Sequence, residues 1–324
     1  MSGAGFVFPG QGSQYVGMGR DLFGKFNDAR AVFEEASSSV GFDIAKLCFE
    51  GPEEELNKTE NTQPAILTVS LAVLAVLRAM HVEPVAVAGH SLGELTAVAA
   101  AGGLTVKDAV SLAKRRGRYM QEAVPAGMGL MAAVLGLEAE KIATACDEAS
   151  SLGVVSPANY NSPGQVVIAG EKAAVERASA LCLEMGAKRV VPLSVSVPSH
   201  CALMRPAAER LKEDLYALDV KDLSIPVAVN ATGRFITGAG DVRESLVRQL
   251  TMPLLWEDCV KAVAGEGCGV IVEAGPGKVL SGLMKRIIKG VEIRNVEDET
   301  TLYTTLDYLS IGCKFSPGKM AGQN

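Results

Sequence analysis

The chain has 324 residues, 48% of them hydrophobic and 21% charged, with a formal net charge of -6. That balance excludes intrinsic disorder, which needs low hydrophobicity and high charge, and the length suffices for one large domain carrying a second small one. It also argues against nonspecific nucleic-acid binding, which depends on surplus Lys and Arg to neutralise phosphates.

Met1–Phe8 lacks the basic stretch, apolar core and cleavage site of a secretory leader, so a cytoplasmic location is expected. The first predicted strand, Gly5–Phe8, runs into the turn Phe8-Pro9-Gly10-Gln11-Gly12-Ser13-Gln14. The longest apolar stretch, Pro64–Leu77, falls short of the roughly 20 residues needed to cross a bilayer and is read as a buried helix. A second strand, Val85–Ala88, leads into Gly89-His90-Ser91-Leu92-Gly93 and the helix-prone run Glu94–Ala101. This alternation predicts a parallel sheet covered by helices, a large domain of the α/β-hydrolase-like kind.

Between Met128 and Ser196 the pattern changes. Strand (Leu130–Leu135), helix (Glu138–Ser150), strand (Val154–Asn159), strand (Gln165–Ala169), helix (Lys172–Met185) and strand (Arg189–Val195) follow in the ferredoxin-like βαββαβ order. Turn residues bound it, Pro125-Ala126-Gly127 before and Pro198 after. Residues 127–197 are therefore read as a small domain inserted into a large one made of 1–126 and 198–310. The large domain resumes with a helix (Met204–Ala217), a strand (Pro226–Asn230) and a strand-turn-helix over Gly269–Ile288, and residues 311–324 read as a frayed tail.

The sharpest chemical signal is GxSxG between a strand and a helix, the context of a nucleophile elbow. Its glycines allow a tight turn that exposes the Ser91 hydroxyl, with the Leu92 N–H aimed at the same spot. Serine needs a base, usually histidine, and there are three. His81 ends an amphipathic helix, and His90 adjoins Ser91 in the strand, where alternation aims it away from the pocket; His200, after the rigid Pro198, remains. Cys201 beside it points the opposite way in an extended segment. The seven cysteines (Cys48, Cys146, Cys182, Cys201, Cys259, Cys268, Cys313) show no CxxC pair and no His at metal spacing, so reduced thiols and no metal site are expected.

Ligands of parallel α/β sheets bind beyond the carboxyl ends of the strands, so the turn holding Gln11 and the elbow can share one pocket. On the residues alone, Gln11 reads equally as an oxyanion donor or as a surface residue of a Gly-rich turn. The cluster Lys114-Arg115-Arg116-Arg118 reads as a solvated helix face, and Asn159, Asn161 and Gln165 as turn formers around Ser162-Pro163-Gly164. Gly275-Pro276-Gly277 lacks the spacing of a phosphate-binding loop.

Six ordered motifs carry a resemblance across about Gly5 to Glu297: FPGQGSQ (Phe8–Gln14), GHSLGE (Gly89–Glu94), KRRGRYMQ (Lys114–Gln121), NYNSPGQVVIAG (Asn159–Gly170), VPSHC (Val197–Cys201) and EAGPGKVLSGL (Glu273–Leu283). In them the chain resembles the malonyl-CoA:acyl-carrier-protein transacylases of dissociated fatty acid synthesis. The resemblance implies Ser91 as nucleophile, His200 as base, and Gln11 and Leu92 as backbone oxyanion donors. It further implies that the Gln249 carbonyl orients the histidine in place of an Asp, and that Arg116 grips the malonyl carboxylate. Asn159, Asn161 and Gln165 match positions that line the pocket or touch the pantetheine arm, and Lys188-Arg189 offers a basic strip for coenzyme A phosphates or the acidic carrier protein; Lys285-Arg286-Lys289 is another basic strip, read rather as helix-surface charge. Malonyl-CoA and acyl carrier protein are the implied partners, with no cofactor, no nucleic acid and no membrane, and the chain is expected to act as a monomer. Ser199 replaces the Phe that synthase modules carry before the histidine, which leaves tolerance of an α-methyl branch open.

Overall fold

The computed structural model describes residues 3–125, 127–193 and 197–314. Six strands form the larger sheet: β1 (Ala4–Phe8), β2 (Pro84–Gly89), β7 (Val227–Val229), β8 (Arg234–Ile236), β9 (Val270–Ala274) and β10 (Glu292–Val296). Their order is β10-β9-β1-β2-β7-β8, parallel at every pairing except the β7–β8 hairpin. Strands β1 (AGFVF) and β9 (VIVEA) are buried along their whole length, as strands covered by helices on both faces must be.

The apolar stretch around Pro64–Leu77 is part of a helix, Thr59–Ala79, whose 21 residues are long and apolar enough to cross a membrane. Most of that length, 83% of its apolar window, is instead buried inside the protein. A helix apolar all round has no face to give to water and is stable only as a core element. It packs against the helices Asn27–Val40 and Val106–Ala123.

The remaining strands, β3 (Gly129–Leu135), β4 (Val155–Ser162), β5 (Gln165–Glu171) and β6 (Arg189–Pro192), form a wholly antiparallel sheet in the order β4-β5-β3-β6. This is the strand order of a ferredoxin-like βαββαβ unit. Helices Ala139–Ala149 and Lys172–Glu184 cover one face and enclose a separate core around Val134, Ile142, Ile168 and Leu181. The other face carries Met131, Ala158, Val167 and Ala169, packed with Cys201. Two main-chain bonds tie β4 to the large sheet's side, Tyr160 N–H to the Leu254 carbonyl and Leu254 N–H to the Ala158 carbonyl, each 2.8 Å.

Two expectations differ from the structure at the chain's ends of elements. β6 stops at Pro192, and the predicted continuation to Val195 runs into residues 194–196, outside the described residues. The last helix, Glu299–Lys314, extends past the expected start of the tail at Ile311; residues 315–324 lie outside the described residues.

Candidate active site

The site forms where β1 and β2 end. Phe8 pairs with Gly89 in register, so the loop after β1 and the bend after β2 leave the sheet side by side. Ser91 occupies that bend with φ 53 and ψ -106, a backbone region costly for any residue but glycine. The flanking glycines permit the bend by close approach. A Cβ on Gly89 would stand 1.8 Å from the Gly93 carbonyl carbon, and one on Gly93 would stand 2.0 Å from the Phe8 oxygen. Side chains there would force the helix Leu92–Ala100 off the sheet.

Ser91 Oγ lies 2.9 Å from His200 Nε2, and His200 Nδ1 lies 2.8 Å from the Gln249 carbonyl oxygen. A carbonyl oxygen only accepts, so Nδ1 carries the ring proton and Nε2 turns a lone pair to the serine hydroxyl. Burial pulls the His200 pKa down to about 3; the Gln249 carbonyl works against that shift, and the Arg116 charge adds to it. The ring is therefore neutral at neutral pH. Cys201 turns inward, where its thiol donates to the Pro198 carbonyl and burial pushes its pKa up to about 11, which leaves no thiolate.

Arg116 comes from the helix Val106–Ala123 and is 3% exposed. Its Nη1 donates to Gln63 Oε1 at 2.8 Å, and its Nη2 donates to Gln249 Oε1 at 2.9 Å and to Ser91 Oγ at 3.3 Å. Burial lowers its pKa to about 10, opposed by the charge of Glu94, so it stays cationic at neutral pH. Among the described ion pairs, none joins Arg116 directly to a carboxylate; its neighbours are amide and hydroxyl oxygens. A buried guanidinium in such surroundings favours an anionic group that can accept two parallel bonds. The rest of the basic cluster faces elsewhere: Arg115 pairs with Asp214, Arg118 with Glu122, and Lys114 donates to the Val40 carbonyl.

A cavity of about 250 Å³ opens over these groups, lined among others by Gln11, Ser91, Leu92, Arg116, Asn159, Asn161 and His200. Among the described residues, neither the Gln11 N–H nor the Leu92 N–H is taken by a hydrogen bond. Asn159 is 6% exposed and its Oδ1 has no partner among the described residues. Gln165 is not brought to the cavity. It stands at the start of β5 beside the hairpin turn, paired across to Leu135 and Ser162, and Val167 is the β5 residue that reaches the lining. Lys188, Arg189, Lys285, Arg286 and Lys289 are exposed and outside the lining.

His90 corrects an expectation. It lies in the cavity wall and not away from it, because it follows the last residue of β2, where strand alternation no longer applies. Its Nε2 is 2.9 Å from Asn161 Oδ1 on β4, and its ring meets Trp256 edge-on. The oxygen of Asn161 is thereby engaged in holding the two sheets together.

Gln63 and Asn230 carry no signal in the sequence: each sits in an ordinary-looking run, and only the fold brings it to Arg116 and Ser91. His90 and Glu94 lie inside the GHSLGE motif, which marks their positions but not their partners, Asn161 for His90 and Asn230 and Ser245 for Glu94. The donors at the start of the helix Val279–Ile287 are also committed: Glu273 accepts from the Leu280 and Ser281 N–H groups, and Glu297 from Gly277. The Gly275-Pro276-Gly277 turn therefore has little left for a phosphate.

A mixed α/β fold with a hydroxyl on such a bend, a neutral imidazole on that hydroxyl and a cationic pocket beside it defines an acyltransferase of the α/β class. The family model described as acyl transferase domain matches residues 5–304. The chain is 48% identical to the malonyl CoA-acyl carrier protein transacylase of Escherichia coli (strain K12), over 93% of this chain and 98% of that protein. It is similar to the crystal structure of an acyl carrier protein S-malonyltransferase from Vibrio cholerae, with TM-score 0.92 and 48% identity over 94% of this chain and 100% of that one. A malonyl-transacylase in complex with a type II polyketide synthase acyl-carrier protein is also similar, with TM-score 0.92 and 47% identity over 95% of this chain and 100% of that one. The chain belongs to the acyl transferase family, and within it to the malonyl CoA-acyl carrier protein transacylases.

Proposed function

We propose that this chain moves malonyl groups from malonyl-CoA to the phosphopantetheine thiol of acyl carrier protein, through a malonyl ester on Ser91, and so supplies extender units for fatty acid synthesis. The observation that carries this reading is the position of Ser91 Oγ, 2.9 Å from a bare imidazole nitrogen and 3.3 Å from a buried guanidinium. The nitrogen answers the need for a base, and the guanidinium answers the need to hold the free carboxylate of the acyl group.

In the first half-reaction Ser91 Oγ attacks the thioester carbonyl and its proton passes to His200 Nε2. The tetrahedral oxyanion accepts hydrogen bonds from the Gln11 and Leu92 N–H groups, each worth about 3 to 4 kcal/mol in comparable sites. The C–S bond then breaks, and the coenzyme A sulfur leaves with the proton from His200. The second half-reaction reverses these roles. The carrier thiol gives its proton to His200, its sulfur attacks the malonyl ester, and Ser91 Oγ recovers the proton as it leaves. Gln249 holds the imidazole through its carbonyl, and Arg116 holds the malonyl carboxylate in both halves. Asn159 lines the acyl pocket with a free oxygen for the substrate arm. Action as a monomer and a cytoplasmic setting are part of the proposal.

The test is intact-mass measurement after mixing with malonyl-CoA. A malonyl adduct that maps to Ser91, is missing in Ser91→Ala and is discharged by carrier protein bearing its phosphopantetheine is the expected result. No adduct on the wild-type chain would overturn the reading.

A further inference from the structure

Resting on that reading, we infer that Asn230 is a positioning residue that fixes the bend at Ser91 and the side chain of Gln249 as one unit. Asn230 follows β7 directly and is fully buried, 0% exposed. Its Oδ1 accepts from the Ser91 N–H at 2.9 Å and from Gln249 Nε2 at 3.2 Å. Its Nδ2 donates to the Gly89 carbonyl at 2.8 Å. The two bonds to Gly89 and Ser91 clasp the strained turn from both sides of His90. The amide cannot be flipped, since one end faces two donors and the other a carbonyl.

Gln249 relays this placement. Its Nε2 also donates to the Ser91 carbonyl at 2.9 Å, its Oε1 accepts from Arg116 Nη2 at 2.9 Å, and its main-chain oxygen accepts from His200 Nδ1 at 2.8 Å. Asn230 therefore reaches hydroxyl, guanidinium and imidazole through a single intervening residue. Its own main chain is anchored in turn. The Asn230 N–H donates to Glu94 Oε2 at 2.7 Å, its carbonyl accepts from the Leu255 N–H at 2.8 Å, and Ser245 holds the other Glu94 oxygen at 2.8 Å. Apart from a long contact to Cys259 Sγ at 3.7 Å, every side-chain bond of Asn230 goes to the bend or to Gln249. No aliphatic or hydroxyl side chain supplies an acceptor for two donors and a donor for a carbonyl at this spacing.

Single-turnover labelling of Ser91, read by intact mass, tests this with malonyl-CoA and with acetyl-CoA. Asn230→Ala is expected to label with malonyl about 100-fold more slowly than wild type. The loss for malonyl should exceed the loss for acetyl by about 10-fold, because the brace on Arg116 matters only to an acyl group with a carboxylate. Wild-type rates, or equal losses for both substrates, would overturn the inference. Asn230→Asp is the conservative variant. Its acid form keeps the acceptor and replaces the Nδ2–H donor by O–H, and burial beside Glu94 keeps that form populated at about pH 5. The ionisable groups facing the position are Glu94 and Cys259 directly, with Arg116 and His200 beyond Gln249. Asn230→Asp is expected to label near the wild-type rate at about pH 5 and to lose about 100-fold by about pH 8, where wild type stays level. A slow rate independent of pH, or a wild-type profile, would overturn the inference; this variant decides alone if Asn230→Ala does not fold. If the wild-type chain itself takes no malonyl label, it is the proposed function that fails and not the role of Asn230.

Discussion

The wall of the cleft built by the large sheet and the wall built by the small sheet differ in how their polar atoms are used. On the large-sheet side Ser91, Arg116, Gln249, Asn230 and His200 are bonded to one another with distances of 2.8 to 3.3 Å. On the small-sheet side Met131 and Val167 are apolar, and Asn159 keeps an oxygen without a partner among the described residues. A closed network fixes reacting groups, since moving one member breaks several bonds. A sparse, mostly apolar wall shapes the space for a ligand and holds few groups in place. The first wall should therefore govern rate, and the second affinity and stability.

Ser91→Ala should break the comparison most severely, with malonyl transfer falling about 10⁴-fold or more and no adduct by mass. His200→Ala should follow, at about 10³-fold or more in the same assay. In the wild type the acylation rate should stay level as pH falls from about 8 to about 5. A raised or ordinary histidine would lose its lone pair in that range, whereas one held to about 3 keeps it; a decline centred near pH 6.5 would contradict this assignment. Arg116→Ala should cost about 100-fold in kcat/KM for malonyl-CoA while the ratio of acetyl to malonyl transfer rises. An unchanged preference would remove Arg116 from the specificity argument.

Changes in the other wall should be smaller and of a different kind. Asn161→Ala leaves His90 without its partner across the sheets, and should lower stability by about 1 to 2 kcal/mol in denaturant titration with only a few-fold rise in KM. Ile168→Ala, in the separate core of the small sheet, should cost about 2 to 4 kcal/mol of stability. The folded fraction of that variant should still label Ser91 at close to the wild-type rate. A large fall in that rate would show that the small sheet also positions the reacting groups.

Much of this was legible in the residues themselves. GxSxG between a strand and a helix announces its own geometry because the glycines are demanded by contacts of 1.8 and 2.0 Å that any Cβ would make. His200 emerged by elimination among three histidines, and the βαββαβ order emerged from periodicity. Gln63 did not, because a glutamine in an apolar helix has no local signature; its meaning comes from the helix Val106–Ala123 lying against it. Asn230 ended an unremarkable strand for the same reason. His90 lies one residue past the end of β2, where strand alternation no longer dictates which way a side chain faces. Gln165 stands beside the hairpin turn and leaves the cavity lining to Val167, a placement that a motif match does not specify.

The helix Thr59–Ala79 joins two properties that are usually kept apart. Among the described residues it is the one helix long and apolar enough to cross a membrane, and it also carries Gln63, whose oxygen steadies Arg116. During synthesis such a segment clings to other apolar surfaces until its neighbours wrap it. Protein that is slow to wrap it should accordingly lose yield through aggregation and lose the guanidinium's alignment at the same step, so that recovery of soluble protein and recovery of malonyl labelling rise together on refolding.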